Sequence, residues 1–471
     1  MAGDAIKFGT DGWRAIIADT YTFDNVAKVA QATSQWLHRE YGKDPAVVIG
    51  HDTRFLGREF SEHCARVFSA AGVRVILADA VATTPAISWA AKEYGCSAGI
   101  VITASHNPPA YSGYKIKAHF GGPATPDMID AVEAELDRLD EIGTLVPFDK
   151  LVASGDVELK DIAGAYVAVL RNRLDVEAIR KSGIRVAHDA MFGAGRGVIS
   201  TLLGSENVVE LRSEYNPGFG GQAPEPIERN LEDLSKTVVA QKCAVGIAND
   251  GDADRVGMYD ERGEFVSSHL MLALLVKYLH REQGLSGDIV KTFSTTHMLD
   301  RIGEAYGLPV QTTPIGFKYI ASKIVEGDVL VGGEESGGMA VKGHIPERDG
   351  IYIGLLITEM VVKRGKPLSE LVDELYEEFG GHYTYRVDVH TTEQKKRAVL
   401  ERLDNEGGLP TIAGHRVSEL QTMDGYKHTS DGGWLLIRPS GTEPVLRVYS
   451  ESDTTEHATE IVDDALKQLG V

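Results

Sequence analysis

Short apolar runs alternate with longer amphipathic stretches in the first part of the chain. Residues 46–50, 73–77 and 97–102 are apolar runs of the length that forms buried strands. Around them, residues 24–41 carry apolar side chains at helical spacing, and a second helix is predicted near 58–71. Strands that alternate with helices predict a largely parallel sheet covered by helices on both faces.

The same alternation returns twice further along the chain. Residues 184–189 and 244–248 are predicted strands of a second unit. A third unit contains predicted strands at 289–292 and 329–332, and its last helix is predicted over 351–364. We therefore predict three related α/β units, each with polar loops at the carboxyl ends of its strands, where open α/β sheets bind ligands.

The end of the chain follows a different pattern. Residues 377–386 have the character of a linker. Beyond them, predicted strands at 433–438 and 445–449 flank a tight polar loop, and a helix is predicted over 454–469, which is typical of an α+β unit. The four predicted units span residues 1–154, 155–258, 259–374 and 375–471.

Length and charge narrow the possible partners. The chain has 471 residues, more than one hydrophobic core usually supports, so several domains are expected. Its formal net charge of −21 argues against a nucleic-acid partner or an anionic membrane surface. Cys64, Cys96 and Cys243 are isolated, which favours a reducing compartment over a disulfide framework or zinc site. The sequence has no signal-peptide pattern and no apolar run of membrane-spanning length, so we expect a cytoplasmic protein.

A serine and a histidine stand side by side where the apolar run 97–102 ends. Residues 103–109 read Thr-Ala-Ser-His-Asn-Pro-Pro, and the two prolines stop any helix and restrict the turn. A hydroxyl held rigidly at a strand end, here Ser105 beside His106, can serve as a nucleophile or phosphate carrier. The alternative without function is a proline-rich surface turn.

An acidic loop follows the predicted strand 244–248. Asp250, Asp252 and Asp254 stand at every second position, and their charges repel one another unless a hard cation lies between them. One divalent ion could take one oxygen from each carboxylate and still accept a phosphate oxygen. A solvated acidic turn is the alternative without function.

Two other chemical interpretations compete for the acidic loop. Its spacing matches the start of an EF-hand, but Arg255 occupies the position where that loop needs glycine, and a strand precedes it. The same residues resemble the nucleophile motif of haloacid-dehalogenase-type phosphatases, with Asp252 as nucleophile. That interpretation leaves Ser105 without a role.

Two further loops combine glycine with polar side chains. Residues 332–338 place Glu334 and Ser336 among glycines that let the backbone approach a ligand, as sugar hydroxyls require. Residues 438–444 combine a guanidinium with hydroxyls, and Arg447 follows on the next strand. In an acidic protein this group favours a phosphate site. Plain turns are the alternative for both loops.

Four further features of the sequence give weaker signals. Arg14 follows a glycine turn near the sheet of the first unit. Lys115 lies ten residues after Ser105, and because one lysine on a strand is usually solvated, it is not informative alone. Residues 193–197 are not a dinucleotide fingerprint, because the third glycine would fall at Val198, so we predict a strand-to-helix turn. His297 is interpreted as structural.

Together, the four loops resemble those of the α-D-phosphohexomutase superfamily, which includes phosphoglucomutases and phosphomannomutases. The matching segments are residues 103–108, 250–255, 333–337 and 438–443, in the family's order. The resemblance covers essentially the whole chain. It implies an α/β protein with three mixed α/β domains around a central cleft, plus a C-terminal α+β domain like the TATA-box-binding protein.

The resemblance also implies roles for individual residues. Ser105 would be carried as phosphoserine, and Mg²⁺ would bridge it to Asp250, Asp252 and Asp254. The implied catalytic residues around the reacting phosphate are His106 and Lys115 as acid/base groups, with Arg14 and Arg255. The implied substrate-binding residues are Glu334 and Ser336 for sugar hydroxyls, and Arg438, Ser440, Gly441, Thr442 and Arg447 for the distal phosphate.

The implied activity is interconversion of hexose 1-phosphate and hexose 6-phosphate through a 1,6-bisphosphate. The Glu-Glu-Ser form of the sugar loop favours glucose, with glucose 1,6-bisphosphate as activator or intermediate. Dual mannose/glucose enzymes carry Glu-Met-Ser-Gly-His and glucosamine enzymes Glu-Gln-Ser-Gly-His, whereas Gly338 stands here in place of that histidine. A phosphomannomutase, a dual-specificity enzyme and a metal-dependent phosphatase stay open. The expected partner is a small-molecule sugar phosphate, for a monomer or homodimer.

Overall fold

The computed structural model describes residues 6–9, 11–440 and 444–471. Gly441 and Thr442, both predicted to bind phosphate, lie outside the described residues. Within those residues, three α/β units are followed by one unit with an antiparallel sheet. In the same part of the chain, no helix has the length and apolar character that crossing a membrane requires.

The first unit is built on a six-stranded sheet in the order β1-β5-β4-β2-β3-β6. Its strands are β1 (Trp13–Ile16), β2 (Ala46–His51), β3 (Arg74–Ala78), β4 (Ala98–Ile102), β5 (Tyr111–Ala118) and β6 (Val157–Lys160). Its helices are α1 (Phe23–Tyr41), α2 (Gly57–Ala70), α3 (Thr84–Glu93), α4 (Pro126–Leu136) and α5 (Phe148–Ser154). The helices predicted over 24–41 and near 58–71 are confirmed. Because β6 pairs with β3, this sheet continues past residue 154.

The second unit has a five-stranded sheet in the order β11-β10-β9-β7-β8. Its strands are β7 (Val186–Asp189), β8 (Val208–Leu211), β9 (Val245–Asn249), β10 (Val256–Tyr259) and β11 (Phe265–Val266). Its helices are α6 (Ile162–Arg173), α7 (Val176–Ser182), α8 (Val198–Leu203) and α9 (Glu232–Gln241). β9 and β10 pair antiparallel, so the acidic loop is the connection of a hairpin. Residues 193–197 lie between β7 and α8, which confirms the predicted strand-to-helix turn.

The third unit has a four-stranded sheet in the order β13-β12-β14-β15. Its strands are β12 (Asp288–Thr292), β13 (Val310–Thr313), β14 (Val329–Gly333) and β15 (Met339–Val341). Its helices are α10 (Ser268–Lys277), α11 (Met298–Tyr306), α12 (Phe317–Glu326), α13 (Gly350–Arg364) and α14 (Leu368–Phe379). β14 and β15 pair antiparallel around residues 334–338, so the glycine-rich loop also closes a hairpin.

The fourth unit has an antiparallel sheet in the order β16-β22-β21-β20-β19 and a two-stranded ribbon. Its strands are β16 (Tyr383–His390), β17 (Thr411–Ile412), β18 (His415–Arg416), β19 (Glu419–Gln421), β20 (Tyr426–Ser430), β21 (Gly433–Pro439) and β22 (Val445–Ser452). Helices α15 (Glu393–Glu406) and α16 (Thr455–Leu469) complete it, as an α+β unit. The predicted linker at 377–386 is wrong, because α14 continues to Phe379 and β16 begins at Tyr383.

One continuous hydrophobic core joins the first three units. It contains Ile87 of α3, Ile247 of β9, Leu272 of α10 and Ile353 of α13, all buried. Burying apolar surface across unit boundaries is the main force that holds such elements together. The loops that leave these sheets are therefore fixed relative to one another. A separate core under β21 and β22 belongs to the fourth unit.

Candidate active site

Three predicted loops leave neighbouring sheets and meet in one place. Residues 103–109 follow β4, residues 250–255 follow β9, and residues 334–338 follow β14. Residues that lie more than a hundred positions apart thereby come within hydrogen-bonding distance. The carboxyl ends of strands are where α/β sheets bind ligands.

Ser105 lies at the centre of this meeting point and is buried. Its Oγ donates a 2.6 Å hydrogen bond to Oδ2 of Asp250, which is 145 residues away, and lies 3.3 Å from Nδ1 of His106. Its φ of 51° lies in the left-handed region, which serine rarely adopts. A conformation of this kind persists only where the surroundings hold it, and it is common at active sites.

Arg54 supplies much of that support, and sequence reasoning missed it. Its guanidinium is buried and donates to four main-chain carbonyl oxygens of the serine loop and β5 at 2.7–2.9 Å, those of Ser105, Asn107, Pro108 and Tyr111. Asp52 accepts from the hydroxyl of Thr103, and that hydroxyl in turn accepts from the main-chain N–H of Ser105. No local pattern marks Arg54, because it acts on backbone atoms of a distant loop.

The acidic loop forms a buried cluster of three carboxylates. One oxygen from each of Asp250, Asp252 and Asp254 lies within 4.8 Å of the others. Oδ1 of Asp252 and Oδ1 of Asp254 are buried without a hydrogen-bond partner among the described residues. Burial raises the pKa of Asp250, and the two neighbouring carboxylates raise it further. Unsatisfied buried carboxylate oxygens are costly, and a divalent cation with oxygen ligands would satisfy them, so the cluster fits Mg²⁺.

Lys115 lies against the same carboxylates. Its Nζ is 2.8 Å from Oδ2 of Asp252, 2.9 Å from Oδ2 of Asp254 and 2.8 Å from Oδ2 of Asp11. Burial alone would lower the pKa of Lys115, but these three carboxylates raise it above its ordinary value, so the side chain is an ammonium. The sequence showed only one lysine on a strand. Its ion pairs exist because the segment around Asp11 and the acidic loop both converge on it.

Arg348 is a second residue that sequence reasoning missed. Its Nη2 lies 2.5 Å from Oδ2 of Asp11 and 2.6 Å from Oδ2 of Asp254, and its Nη1 is 3.6 Å from Oε2 of Glu334. The side chain is buried. It lies just before α13, whose first turn is capped by Asp349. This guanidinium therefore connects loops of all three α/β units.

His106 lies between cationic groups. Burial lowers its pKa, and the guanidinium charges of Arg255 and Arg14 lower it further, so the imidazole is neutral. Arg14 donates to Oδ1 of Asn107 at 2.7 Å, while the Nε of Arg255 is buried without a hydrogen-bond partner among the described residues. Two arginines therefore place positive charge near His106, the residue that follows Ser105.

The glycine-rich loop contributes a buried carboxylate. Burial raises the pKa of Glu334 to about 7, and the charge of Arg348 opposes that rise. Ser336, half-buried, lies two residues further along the loop. The neighbouring Glu335 is already engaged, because its Oε2 accepts from Ser294 Oγ at 2.6 Å. Glu335 is therefore held by a hydroxyl of the same unit, whereas the carboxylate of Glu334 is approached by Arg348.

In the fourth unit, two arginines face each other across neighbouring strands. Arg438 of β21 is paired in register with Arg447 of β22. Like charges directly opposite each other destabilise a sheet, and a bound anion would remove that cost. Arg438 donates to Asp424 at 2.8 Å, and Nε of Arg447 is buried without a partner in the described ranges. Ser440, two residues after Arg438, donates its main-chain N–H to Val445.

Comparison with protein families matches the chain in four consecutive segments. They are described as phosphoglucomutase/phosphomannomutase alpha/beta/alpha domains I, II and III and C-terminal domain, over residues 5–143, 164–263, 267–379 and 387–468 respectively.

Full-length relatives agree with this assignment. A phosphoglucomutase/phosphomannomutase of Thermococcus kodakarensis is 33% identical over 464 residues, with 98% of each chain covered. A protein of Thermococcus gammatolerans, named provisionally as a phosphoglucosamine mutase, is 34% identical and covers 98% of this chain and 97% of its own. A solved structure from Thermus thermophilus, named provisionally as a phosphomannomutase, has a TM-score of 0.85 and 34% identity, with each chain fully covered. The chain therefore belongs to the phosphoglucomutase/phosphomannomutase family, whose members are phosphohexomutases, and it is an isomerase that moves a phosphoryl group.

Proposed function

We propose that this enzyme interconverts a hexose 1-phosphate and a hexose 6-phosphate, with glucose as the preferred sugar and Ser105 as the phosphate carrier. The observation that carries the proposal is the hydroxyl of Ser105 lying 2.6 Å from Asp250, at the edge of a buried carboxylate cluster with two unsatisfied oxygens. A hydroxyl, a cation site and two arginines meet where a phosphoryl group would be transferred.

The transfer itself exchanges one oxygen–phosphorus bond for another. The phosphoryl group leaves Oγ of Ser105 and bonds to the free sugar hydroxyl, which loses its proton. The resulting 1,6-bisphosphate turns over in the cleft, and its other phosphoryl group returns to Ser105. Phosphoryl transfer needs little covalent help from a protein, so positioning and charge neutralisation supply most of the catalysis. Mg²⁺ held by Asp250, Asp252, Asp254 and the Ser105 site would neutralise phosphate charge.

Two residues are suited to the proton movements. The imidazole of His106 is neutral and lies 3.3 Å from Oγ of Ser105, so it can accept a proton. The ammonium of Lys115 is held beside the carboxylate cluster and can donate one. Arg14 and Arg255 would bind the oxygens of the transferring group. We assign these four residues to the reacting end of the substrate.

The remaining polar loops would bind the rest of the substrate. Glu334 and Ser336 would accept and donate hydrogen bonds with sugar hydroxyls. The distal phosphate would be held by Arg438, Ser440, Gly441, Thr442 and Arg447. Two arginines opposite each other in a sheet are well suited to a dianionic phosphate. The names of the relatives differ in sugar, so the preference for glucose rests on the Glu-Glu-Ser sequence of the loop.

The test is label transfer with a serine variant. Glucose 1-phosphate, mannose 1-phosphate and N-acetylglucosamine 1-phosphate are compared as substrates in the presence of glucose 1,6-bisphosphate and Mg²⁺. We expect Ser105→Ala to lose both isomerisation and ³²P labelling from the bisphosphate. Ser34→Ala, which removes a buried hydroxyl from α1, is the matched control and keeps both.

Two results would contradict the proposal. Labelling and turnover of Ser105→Ala at the rate of the control would show that another group carries the phosphate. Steady release of inorganic phosphate without isomerised sugar, abolished in Asp252→Asn, would favour a metal-dependent phosphatase instead.

A further inference from the structure

Arg348 contacts one carboxylate from each of three units. The residue is 5% exposed, and its guanidinium reaches Asp11 of the first unit, Asp254 of the second and Glu334 of the third. Only an arginine presents several donors in a fixed planar fork on a long side chain. Arg348 therefore links the acidic loop to the glycine-rich loop, beside the main-chain hydrogen bond from the N–H of Val256 to the carbonyl oxygen of Gly337 at 3.1 Å.

Gly338 makes room for this side chain. A Cβ atom at residue 338 would lie 2.3 Å from Cδ and 3.0 Å from Cγ of Arg348. The backbone of Gly338 has no positive φ, so it does not need glycine for conformational reasons. The position needs glycine for space alone. A side chain at 338 and the observed position of Arg348 exclude each other.

Glu334 depends on the same arrangement. It is buried, it lies in the loop closed by Gly338, and its main-chain N–H donates to the carbonyl oxygen of Gly338 at 3.0 Å. Arg348 is the cation that approaches its carboxylate, at 3.6 Å. Burying a carboxylate without a compensating charge is costly, so moving Arg348 would change both the position and the charge of Glu334.

We propose that Arg348 is a positioning residue for sugar recognition, and that Gly338 is the residue that admits it. Arg348 holds Glu334 at a fixed distance from the acidic loop, so that a hexose hydroxyl meets the carboxylate while the phosphoryl group lies beside Ser105. This inference rests on the proposed function. It makes the pair Gly338–Arg348 a single specificity element.

A double-mutant cycle tests the proposal. The variants are Gly338→Ala, Arg348→Ala, the double variant and Arg348→Lys, assayed for kcat and KM with glucose 1-phosphate and mannose 1-phosphate. Gly143→Ala is the control, because its φ is not positive and its added Cβ would meet nothing closer than 3.6 Å. Each variant is first checked for an unchanged circular dichroism spectrum.

We expect Gly338→Ala and Arg348→Ala each to lower kcat/KM for glucose 1-phosphate at least tenfold. The double variant should match Arg348→Ala within twofold, because without Cγ and Cδ of Arg348 the nearest remaining neighbour of the new methyl group is Oε2 of Glu334 at 3.2 Å, the end of a flexible side chain. The ratio of kcat/KM between the two sugars should change in both single variants, which general loss of stability would not cause. Arg348→Lys keeps the charge and should recover part of the loss.

The contrary results are distinct. Three results would overturn this inference while the proposed function stands. In the first, Gly338→Ala has the same kcat/KM as the Gly143→Ala control. In the second, the losses of kcat/KM in the two single variants multiply in the double variant, and in the third, kcat/KM falls equally for both sugars. If Gly338→Ala does not fold, the inference is still tested by the ratio of kcat/KM between the two sugars, measured for Arg348→Ala and for the double variant. A wild-type enzyme that isomerises none of the hexose phosphates would overturn the proposed function, and this inference with it.

Discussion

The serine loop depends on one buried arginine. Arg54 donates to four carbonyl oxygens, and its Nε lies 3.3 Å from the carboxylate of Asp52. Ser105 keeps its left-handed φ of 51° because the loop around it is held in this way. Arg54 positions Ser105 through main-chain atoms of the loop.

We expect Arg54→Met to destabilise the enzyme and to lower kcat. Removing one partner of a buried ion pair costs about 3–5 kcal/mol, because the other charge stays buried and unpaired. Arg58→Met removes an exposed arginine with an i,i+4 partner and should cost about 0.5 kcal/mol or less. Calorimetric unfolding and kcat are the measurements. An Arg54→Met enzyme as stable as Arg58→Met would show that the loop needs no such support.

From the carboxylate cluster we expect Mg²⁺ affinity to depend on Asp252. Asp252→Asn should weaken Mg²⁺ binding at least about tenfold, because the cluster loses one of its three negative charges. Mg²⁺ titration by calorimetry and the dependence of kcat on Mg²⁺ concentration measure the effect. Asp127→Asn changes an exposed residue of α4 and is the control. Equal Mg²⁺ affinities of the two variants would contradict a role for Asp252 as a ligand.

At the scale of elements, helix α13 begins directly against the acidic loop. The main-chain N–H of Gly350 donates to the carbonyl oxygen of Ala253 at 3.0 Å. The side chain of Asp349 caps the helix by accepting from the N–H of Tyr352 at 3.0 Å. The helix start and the acidic loop therefore share backbone contacts across two units.

We expect Gly350→Ala to disturb both the start of helix α13 and the acidic loop. Its Cβ would lie 2.0 Å from the carbonyl oxygen of Arg255, and a backbone atom cannot move aside as a side chain can. Overpacking of this kind costs about 1–3 kcal/mol, and we expect weaker Mg²⁺ binding as the loop shifts. Thermal unfolding and Mg²⁺ titration are compared with Gly143→Ala. Unchanged Mg²⁺ affinity would show that the loop does not depend on the helix start.

At the scale of the whole molecule, the third and fourth units meet through buried polar groups. Nζ of Lys427 donates to the carbonyl oxygen of Phe293 at 3.0 Å and lies 4.2 Å from the ring centre of Trp434. Oε1 of Glu451 accepts from the main-chain N–H of His297 at 3.0 Å. Burial, together with the charge of Lys291, lowers the pKa of Lys427 to about 7.

Because the pKa of Lys427 is lowered in the folded protein, we expect the stability of the protein to depend on pH. The unfolded chain keeps the proton of Lys427 up to a pKa of about 10.4, so between about pH 7 and 10 it binds more protons than the folded chain. Stability from this group therefore rises with pH in that window, by up to about 1.4 kcal/mol per pH unit. Lys427→Met should remove this rise, whereas Lys395→Met, at an exposed position of α15, should keep it. The free energy of unfolding is measured by calorimetry from pH 7 to 10. If it rises equally steeply with pH in the two variants, the lowered pKa of Lys427 is contradicted.

The sequence alone determined the local features of this protein. Apolar runs predicted β2 and β9, and the contiguous motifs around Ser105 and Asp252 predicted residues that the fold brings together. These signals are local, because a loop motif and the strand before it are neighbours in the chain. The predicted linker at 377–386 failed because pairing of β16 with β22 overrode its glycine-rich character.

The tertiary structure decided which distant side chains meet. Arg54 supports the backbone of a loop some fifty residues away, and Asp11 and Arg348 are 337 residues apart, so no spacing within a motif could connect them. The space at Gly338 is likewise visible only when Arg348 is in position. Such contacts arise from packing the units on a shared core, and their geometry is a property of the folded chain as a whole.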